Sequence, residues 1–291
     1  MTKILQQERS GSTVSTEELS EICRQWRIWI LRMIHRAGSG HPGGALSLVE
    51  ILAELYARRM RFDPEHPDWP DRDRLILSKG HGVPALYAAL AWYGYFPKEE
   101  LLTLRRTDGR LEGHPDRCRV PGIEASTGSL GQGLSIGIGH ALSGRLDQRT
   151  YRTFVILGDG EIQEGQVWEA ALFASAHRLD NLTAFIDCNG FQLDDAVEKI
   201  LSIEPVAEKW ESFGWAVREI DGHSLGEIEE AIRWADGVRG KPSVIVARTV
   251  KGKGVSFMEG NNDFHGRAPT DEEFEHAMKE LGAHPEREAF L

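Results

Sequence analysis

Two short apolar runs, each followed by a polar turn that contains glycine, constrain this sequence most. The first run, 154–157, leads into Asp159, which has a glycine on either side, and the second run, 182–187, leads into Asn189. Each run has the length of a buried strand, and ligands bind in the crevice beyond the carboxyl ends of parallel strands. We therefore expect both turns to face the same ligand.

The residue types in these turns suit a metal-bound diphosphate. Asp159 offers a carboxylate oxygen and Asn189 an amide oxygen, both hard ligands for Mg2+, with Ca2+ or Mn2+ as alternatives. Gly158 and Gly160 allow the backbone to approach a ligand closely. A helical pattern follows Gly160, and free amides at a helix start favour an anion. An ordinary turn after a strand is the alternative for the first motif taken alone.

The distribution of apolar residues predicts an α/β fold with a mainly parallel sheet flanked by helices. Residues 1–16 form a polar segment, and residues 17–291 show no linker, so we expect one domain there. Ser15 and Glu18 fit a capping box for the first helix. We predict helices at 17–37, 46–60, 83–93, 130–146, 162–178, 204–213, 225–236 and 271–281, and strands near 74–77, 153–157, 182–187, 215–220 and 243–247.

The charge balance and the cysteines exclude several classes of protein. The chain has 34 basic and 45 acidic residues, a net charge of −11, which argues against nonspecific binding to nucleic acid or to anionic membranes. No apolar stretch approaches the ~18 residues of a membrane span, and the polar start lacks a signal-peptide core. The three cysteines lie far apart, so we expect reduced thiols. These features predict a cytoplasmic protein in which an anionic cofactor needs local cations.

Four histidines lie in turns that also contain glycine: His41, His81, His114 and His265. Imidazole can donate to phosphate, ligate metal or transfer protons near neutral pH. A capping or turn role is the alternative for each one taken alone. Their spacing shows no His-x-x-x-His pattern, which argues against zinc. Four such turns in one chain favour a functional site.

These turns resemble transketolase, an enzyme that uses thiamine diphosphate. The resemblance runs from about residue 17 to residue 270, and its motifs occur in the same order along the chain. The motifs are Ser39-Gly40-His41-Pro42-Gly43, Lys79-Gly80-His81, Gly113-His114-Pro115, residues 127–133, Gly158-Asp159-Gly160 with Asn189, residues 164–171, Lys251-Gly252-Lys253-Gly254 and His265-Gly266.

The resemblance implies two bound groups, thiamine diphosphate and a divalent metal ion. The metal would be held by Asp159, Asn189 and the backbone carbonyl of Phe191, with diphosphate oxygens completing its shell. The implied cofactor-binding residues are His81, Gly128, Ser129, Leu130, Gly158, Asp159, Gly160, Glu161, Asn189 and His265. Of these, Gly160 and Glu161 would act through their backbone, and Gly128 and Leu130 would lie against the aminopyrimidine ring.

The resemblance also implies an activity and a set of catalytic residues. The expected reaction is transfer of a two-carbon ketol unit from a ketose phosphate to an aldose phosphate. His41 and His114 would bind substrate hydroxyls and transfer protons. His81 and His265 would lie on the diphosphate side, the latter also near substrate. Glu164 would lie in an interface with another protein chain, with a plain helix-surface role as the alternative.

One part of the implied site belongs to a separate domain. In transketolase, a glutamate that activates the aminopyrimidine lies in a pyrimidine-binding domain that follows the diphosphate domain, and this sequence ends at Leu291. We therefore expect the N-terminal subunit of a split transketolase, with a partner chain that carries the pyrimidine domain, in an α2β2 assembly. Three alternatives stay open: a modified or branched sugar phosphate substrate, a 1-deoxyxylulose-5-phosphate-type condensation, and a non-catalytic regulatory paralogue.

Overall fold

A five-stranded, all-parallel sheet forms the centre of the fold in the computed structural model, which describes residues 14–283. The strand order is β1-β2-β3-β5-β4. Every predicted strand is present with nearly the predicted bounds. Four of them are largely apolar runs buried on both faces, as is typical of parallel strands, whereas β4 is partly exposed. The strands are β1 (Arg74–Leu77), β2 (Thr153–Gly158), β3 (Leu182–Cys188), β4 (Ala216–Asp221) and β5 (Ser243–Arg248).

The register of the central strands brings the two polar turns together. Gly158, the last residue of β2, lies opposite Asp187 of β3. Cys188, the last residue of β3, lies opposite Arg248 of β5. Because all strands run in the same direction, the turns that follow β1, β2, β3 and β5 emerge at one edge of the sheet.

Ten α-helices surround the sheet within residues 14–283. The capping box of Ser15 and Glu18 is confirmed, and the first helix ends at Gly38, which has a φ of 63°. The helices are α1 (Thr16–Ala37), α2 (Pro42–Leu46), α3 (Val49–Glu54), α4 (Val83–Trp92), α5 (Gln132–Leu146), α6 (Gly165–Ala176), α7 (Val197–Leu201), α8 (Val206–Ser212), α9 (Leu225–Gly237) and α10 (Asp271–Glu280).

The predicted helix 46–60 is wrong as a single element. It is divided between α2 and α3, and a π-helical turn, Leu55–Arg59, follows α3. Ser47 lies at the break and donates through its hydroxyl to the Asp187 carboxylate at 2.7 Å. This tertiary contact holds the chain against the sheet edge at the point where the helix is interrupted.

Two other helix predictions differ from the structure. The helix predicted from residue 162 begins only at Gly165, because the short 3-10 turn Glu161–Gln163 precedes it. The amides next to Gly160 therefore belong to this turn and not to the start of α6. Helix α7 was not predicted, since five residues are too few to show a helical period.

Apolar clusters cover both faces of the sheet. On β3, Phe185 packs into the cluster that includes α1, α3, α4 and α9, whereas Ala184 and Ile186 pack into the cluster that includes α5, α6 and α8. Alternate residues of a strand point to opposite faces, so the sheet is the middle of three layers. The predicted α/β class with flanking helices is confirmed.

Three remaining sequence predictions concern the polar N-terminal segment, the cysteines and membrane spans. Residues 1–13 of the predicted polar segment, and 284–291, lie outside the described residues. All three cysteines are free thiols, with Cys118 exposed. Between residues 14 and 283, none of the helices combines the length and apolarity that a membrane span requires.

Candidate functional site

The carboxylate of Asp159 joins the turns that follow β2 and β3. Its Oδ1 accepts from the Gly160 amide at 2.8 Å, and its Oδ2 accepts from the Gly190 amide at 2.6 Å. The side chain is buried. These two hydrogen bonds fix the carboxylate at the sheet edge, next to Gly190, which follows Asn189 in the chain.

Asn189 has its amide oriented by its neighbours. Its Nδ2 donates to Oδ2 of Asp187 at 3.1 Å, and its Oδ1 accepts from the Phe191 amide at 3.2 Å. Phe191 in turn forms an isolated antiparallel bridge with Ala196. The structure thus places Asp159, Asn189 and Phe191 on adjoining turns.

The oxygen donors in these turns fit a hard divalent cation. Burial, together with the neighbouring Asp187, raises the pKa of Asp159 to about 6, and a bound cation would favour the charged form instead. Among residues 14–283, histidine, cysteine, aspartate and glutamate do not form a group of three or more that could hold a metal. A cation at Asp159 and Asn189 would therefore need further oxygen ligands, which a diphosphate can supply.

A buried ion pair lies directly beneath these turns. Lys79, which follows β1, and Asp187, in β3, are both about fully buried, with Nζ 2.5 Å from Oδ2. Ser47 and Thr249 also donate to the Asp187 carboxylate. Burial alone would raise the pKa of Asp187, but the attraction of Lys79 and these hydrogen bonds lower it. The site therefore contains a fixed anion–cation pair that links three strands.

The four predicted histidines converge on one cluster, with His41 in the middle. The ring centroid of His41 lies 5.3 Å from that of His81, 6.1 Å from that of His114 and 5.7 Å from that of His265. His81 and His265 are stacked, with centroids 5.2 Å apart. Residues from four separate turns thus form a single imidazole surface.

The histidines of this cluster have lowered pKa values. Burial is the largest cause throughout, and nearby positive charges add to it. The pKa of His41 falls to about 4 and that of His265 to about 3, with Arg105 and Lys251 as the respective nearest cations. At neutral pH these imidazoles are uncharged, so each can accept a proton through one nitrogen and donate through the other.

Lys251 is a second buried lysine next to the cluster. Its Nζ lies 2.7 Å from Nδ1 of His265 and 2.6 Å from Oδ1 of Asn262. Burial and the charge of Lys79 lower its pKa to about 7. Lys251 is therefore only partly protonated near neutral pH, and an anionic ligand at this edge would favour its charged form.

The loop that contains Gly128, Ser129 and Leu130 lies against the cluster. Gly128, whose φ is 153°, lies so close to His114 that a hypothetical Cβ atom added to it would be 3.2 Å from the imidazole ring. The Leu130 carbonyl accepts from Nε2 of Gln166 at 2.9 Å. Ser129 is exposed on the same loop. The loop thus forms a wall beside His114.

Glu161 and Glu164 have different surroundings. The buried Glu161 carboxylate accepts from the Ser78 hydroxyl at 2.5 Å, from the Gly131 amide at 2.8 Å and from the Gly158 amide at 2.9 Å. Its side chain therefore joins the turns after β1 and β2 to the loop beside His114. Glu164 is exposed and immediately precedes α6. It lies close to Gly131, because a Cβ atom added to that glycine would lie 3.0 Å from the Cβ of Glu164.

The sequence matches the model of one protein family over nearly its whole length. The model described as "Transketolase, thiamine diphosphate binding domain" matches residues 19–291. The chain belongs to the transketolase family.

Curated relatives within this family include separate subunits and full-length enzymes. The chain is 51% identical to the 6-deoxy-6-sulfo-D-fructose transketolase subunit SqwG of Clostridium sp. (strain MSTE9), covering 86% of this chain and 91% of that protein. It is 40% identical to an apulose-4-phosphate transketolase subunit of Phocaeicola vulgatus, covering 89% and 92%. It is 39% identical to the transketolase of Homo sapiens, covering 86% of this chain but 40% of that one.

Solved transketolase structures share the fold. The transketolase of Campylobacter jejuni superimposes with a TM-score of 0.88 at 32% identity, over 94% of this chain and 44% of that one. The Pichia stipitis transketolase in complex with sedoheptulose-7-phosphate gives a TM-score of 0.87 at 32% identity, over 95% and 42%. The chain thus spans less than half the length of these transketolases.

Three charged residues of this transketolase site were not predicted to have a role: Lys79, Asp187 and Lys251. A signal was available for Asp187, because a charged residue at the end of an apolar strand costs free energy unless it is paired. Lys79 and Lys251 each stand next to a glycine in the motifs that resemble transketolase. Only the fold shows that these lysines are buried, because lysine is one of the residue types most often exposed.

Proposed function

We propose that this chain is the thiamine diphosphate-binding subunit of a transketolase that transfers a two-carbon ketol unit from a ketose phosphate to an aldose phosphate. The convergence of four neutral imidazoles beside the Asp159–Asn189 turns carries the proposal. Sugars present several hydroxyl groups, and uncharged imidazoles recognise such groups as donors or acceptors. The membership of the transketolase family supports the same reaction.

The two polar turns are the proposed site of the metal and the diphosphate. Asp159, Asn189 and the Phe191 carbonyl would hold Mg2+, with Ca2+ or Mn2+ as alternatives. His81 and His265, and the backbone at 158–161, would contact the diphosphate, while the loop 128–130 would contact the aminopyrimidine. Lys79 and Lys251 add positive charge at the same edge, which stabilises an anion there.

The chain's own residues orient the substrate and transfer protons. When bound, thiamine diphosphate supplies the nucleophilic carbon and the electron sink for breaking the carbon–carbon bond. His41 and His114 hold the sugar hydroxyls, and a neutral imidazole accepts the hydroxyl proton as that bond breaks. The same group returns a proton when the aldose accepts the two-carbon unit.

A second chain that carries a pyrimidine domain is the proposed partner. Three relatives named as subunits match this chain over 91% to 97% of their own length, whereas full-length transketolases extend well beyond it. The exposed Glu164, which immediately precedes α6, would face another protein chain. We expect two copies of each chain.

Ketol transfer by the reconstituted pair tests this proposal. The chain is purified alone and together with the product of the neighbouring reading frame, and both preparations are assayed with thiamine diphosphate, Mg2+, a ketose phosphate and an aldose phosphate. We expect activity only in the pair. Full activity of the lone chain would contradict the requirement for a partner, and an active condensation with a ketoacid instead would support the 1-deoxyxylulose-5-phosphate-type alternative.

A modified sugar is the second candidate for the donor. The relative with 51% identity is named as acting on 6-deoxy-6-sulfo-D-fructose, whereas full-length transketolase is 39% identical. We expect a panel of donors, including this sulfo sugar, a branched ketose phosphate and xylulose 5-phosphate, to separate the candidates by kcat/KM. Equal kcat/KM for all donors would remove the support for a modified sugar. A separate binding measurement with thiamine diphosphate and Mg2+ addresses the third alternative, because a chain that binds no cofactor would be a regulatory paralogue.

A further inference from the structure

We propose that Arg105 is a positioning residue that holds His41 in the tautomer with its proton on Nε2. Arg105 lies on the loop between α4 and α5, outside all the motifs that resemble transketolase. The consequence for catalysis rests on the proposed function, but the tautomer itself does not.

The contact between the two side chains has only one possible direction. Nη2 of Arg105 lies 3.5 Å from Nδ1 of His41, and Nη1 lies 3.5 Å from the Ser39 hydroxyl. A guanidinium has donors and no acceptor. Nδ1 of His41 must therefore present its lone pair, and in a neutral imidazole the single proton is then on Nε2.

The backbone of Arg105 indicates that this placement is specific. Its φ of 58° is in the left-handed region, which only two other residues besides glycine, Gln148 and Arg178, adopt between positions 14 and 283. Its amide donates to the Leu111 carbonyl at 2.8 Å, which holds the turn. Strained backbone of this kind is concentrated at functional sites.

Gly113 provides the space that the guanidinium occupies. A Cβ at this position would lie 2.6 Å from Nε of Arg105 and 2.7 Å from its Cζ, closer than a real Cβ tolerates. The loop thus combines a strained residue and an adjoining glycine to direct one guanidinium toward His41.

The other edge of the His41 ring faces the centre of the cluster. Nε2 would lie 3.8 Å from a Cβ on Gly266, and the rings of His81 and His265 are within 6 Å by centroid. With its proton on Nε2, His41 donates a hydrogen bond to a sugar oxygen, which leaves proton acceptance to another imidazole. The lowered pKa of His41 agrees with a neutral ring that is held by a neighbouring cation.

Nitrogen NMR on the full-length chain labelled with 15N-histidine tests the tautomer. The His41 signals are assigned by their loss in His41→Gln. We expect an unprotonated Nδ1 and a protonated Nε2 at pH 7, and a shift toward the other tautomer in Arg105→Met. Arg106→Met is the matched control, because Arg106 pairs with Asp108 at 3.2 Å and not with His41. The His41 signals of this variant should equal those of the unaltered chain.

The same variants separate positioning from folding and from the proposed function. Arg105→Lys keeps a donor and should retain part of the Nε2 preference, and circular dichroism checks that each variant is folded. In the assembly with the partner chain, we expect Arg105→Met to lower kcat/KM about tenfold, equivalent to one lost transition-state contact. A proton on Nδ1 in the unaltered chain, or no change in tautomer in a folded Arg105→Met chain, would overturn the inference whether or not the assembly is active.

Discussion

Asp159 is the residue on which the proposed metal site depends most directly. Asp159→Ala removes the one anionic side chain assigned to the metal. We expect the Mg2+-dependent affinity for thiamine diphosphate to fall more than about tenfold, measured by calorimetry on the assembly with the partner chain. Asp68→Ala, at an exposed position, is the control, and equal affinity in both variants would place the metal elsewhere.

Lys251 should take up a proton when the diphosphate binds. Its pKa of about 7 in the free chain leaves it mostly neutral at pH 8, and a nearby anion favours the charged form. Calorimetry at pH 8 in buffers of different ionisation enthalpy should show uptake of up to about one proton per chain. Lys251→Met should reduce the uptake, whereas Lys253→Met, at a partly exposed residue, should preserve it.

At this scale, the sequence indicated ligand types better than it indicated burial. Asp159, Asn189 and the four histidines were selected because they stand next to glycine or at the end of an apolar run, and the fold brings them together. No role was predicted for Lys79 or Lys251, and a pattern gives no sign of their burial because lysine is exposed in most proteins. Lys79 is paired with Asp187, which is 108 positions away, and Lys251 contacts His265 and Asn262 in the turn that follows it.

At the scale of elements, α5 shows how glycine permits close packing on the sheet. A Cβ on Gly137 would lie 2.4 Å from the Val155 side chain, whereas a Cβ on Gly139 would meet nothing within 4 Å. We expect Gly137→Ala to lower the free energy of unfolding by about 1–3 kcal/mol. Gly139→Ala, the matched control in the same helix, should raise it by up to about 1 kcal/mol.

Urea unfolding of the two variants measures both effects. Equal free energies of unfolding in Gly137→Ala and Gly139→Ala would contradict close packing at Gly137, because α5 would then move away from β2 without a loss of stability.

The strands were easier to predict than the helices. Four of the five runs are short, largely apolar and buried on both faces, so their composition alone marks them. The exception is β4, an edge strand in which Glu219 and Asp221 are exposed. The break between α2 and α3 lies at Ser47, whose hydroxyl contacts Asp187, 140 positions away. A sequence pattern has no access to such a contact.

For the molecule as a whole, the histidine cluster should make stability depend on pH. Folded His41 and His265, with pKa values of about 4 and 3, bind protons less readily than the unfolded chain does near 6.5. Their contribution to stability is therefore complete above about pH 6.5 and is lost as the pH falls toward 4 and 3.

We expect the urea midpoint of the chain to depend less steeply on pH between 6.5 and 4 in His41→Gln. Asp159, with its raised pKa, has the opposite sign, so the comparison between variants isolates the histidine. His276→Gln, at an exposed position on α10, should keep the original slope. An unchanged slope in His41→Gln would contradict a neutral, partly buried His41.

The parallel direction of all five strands has a consequence for how this molecule can be altered. The histidines and the polar turns lie on separate connections that meet at the sheet edge, while both faces of the sheet are covered by apolar clusters. The connection that carries Arg105 and His114 also places Leu101, Leu104 and Leu111 in one of these clusters, so a relative's version fits this core only if it keeps apolar side chains at those positions. An exchange confined to its exposed polar positions would alter the surroundings of the histidines and leave this packing in place.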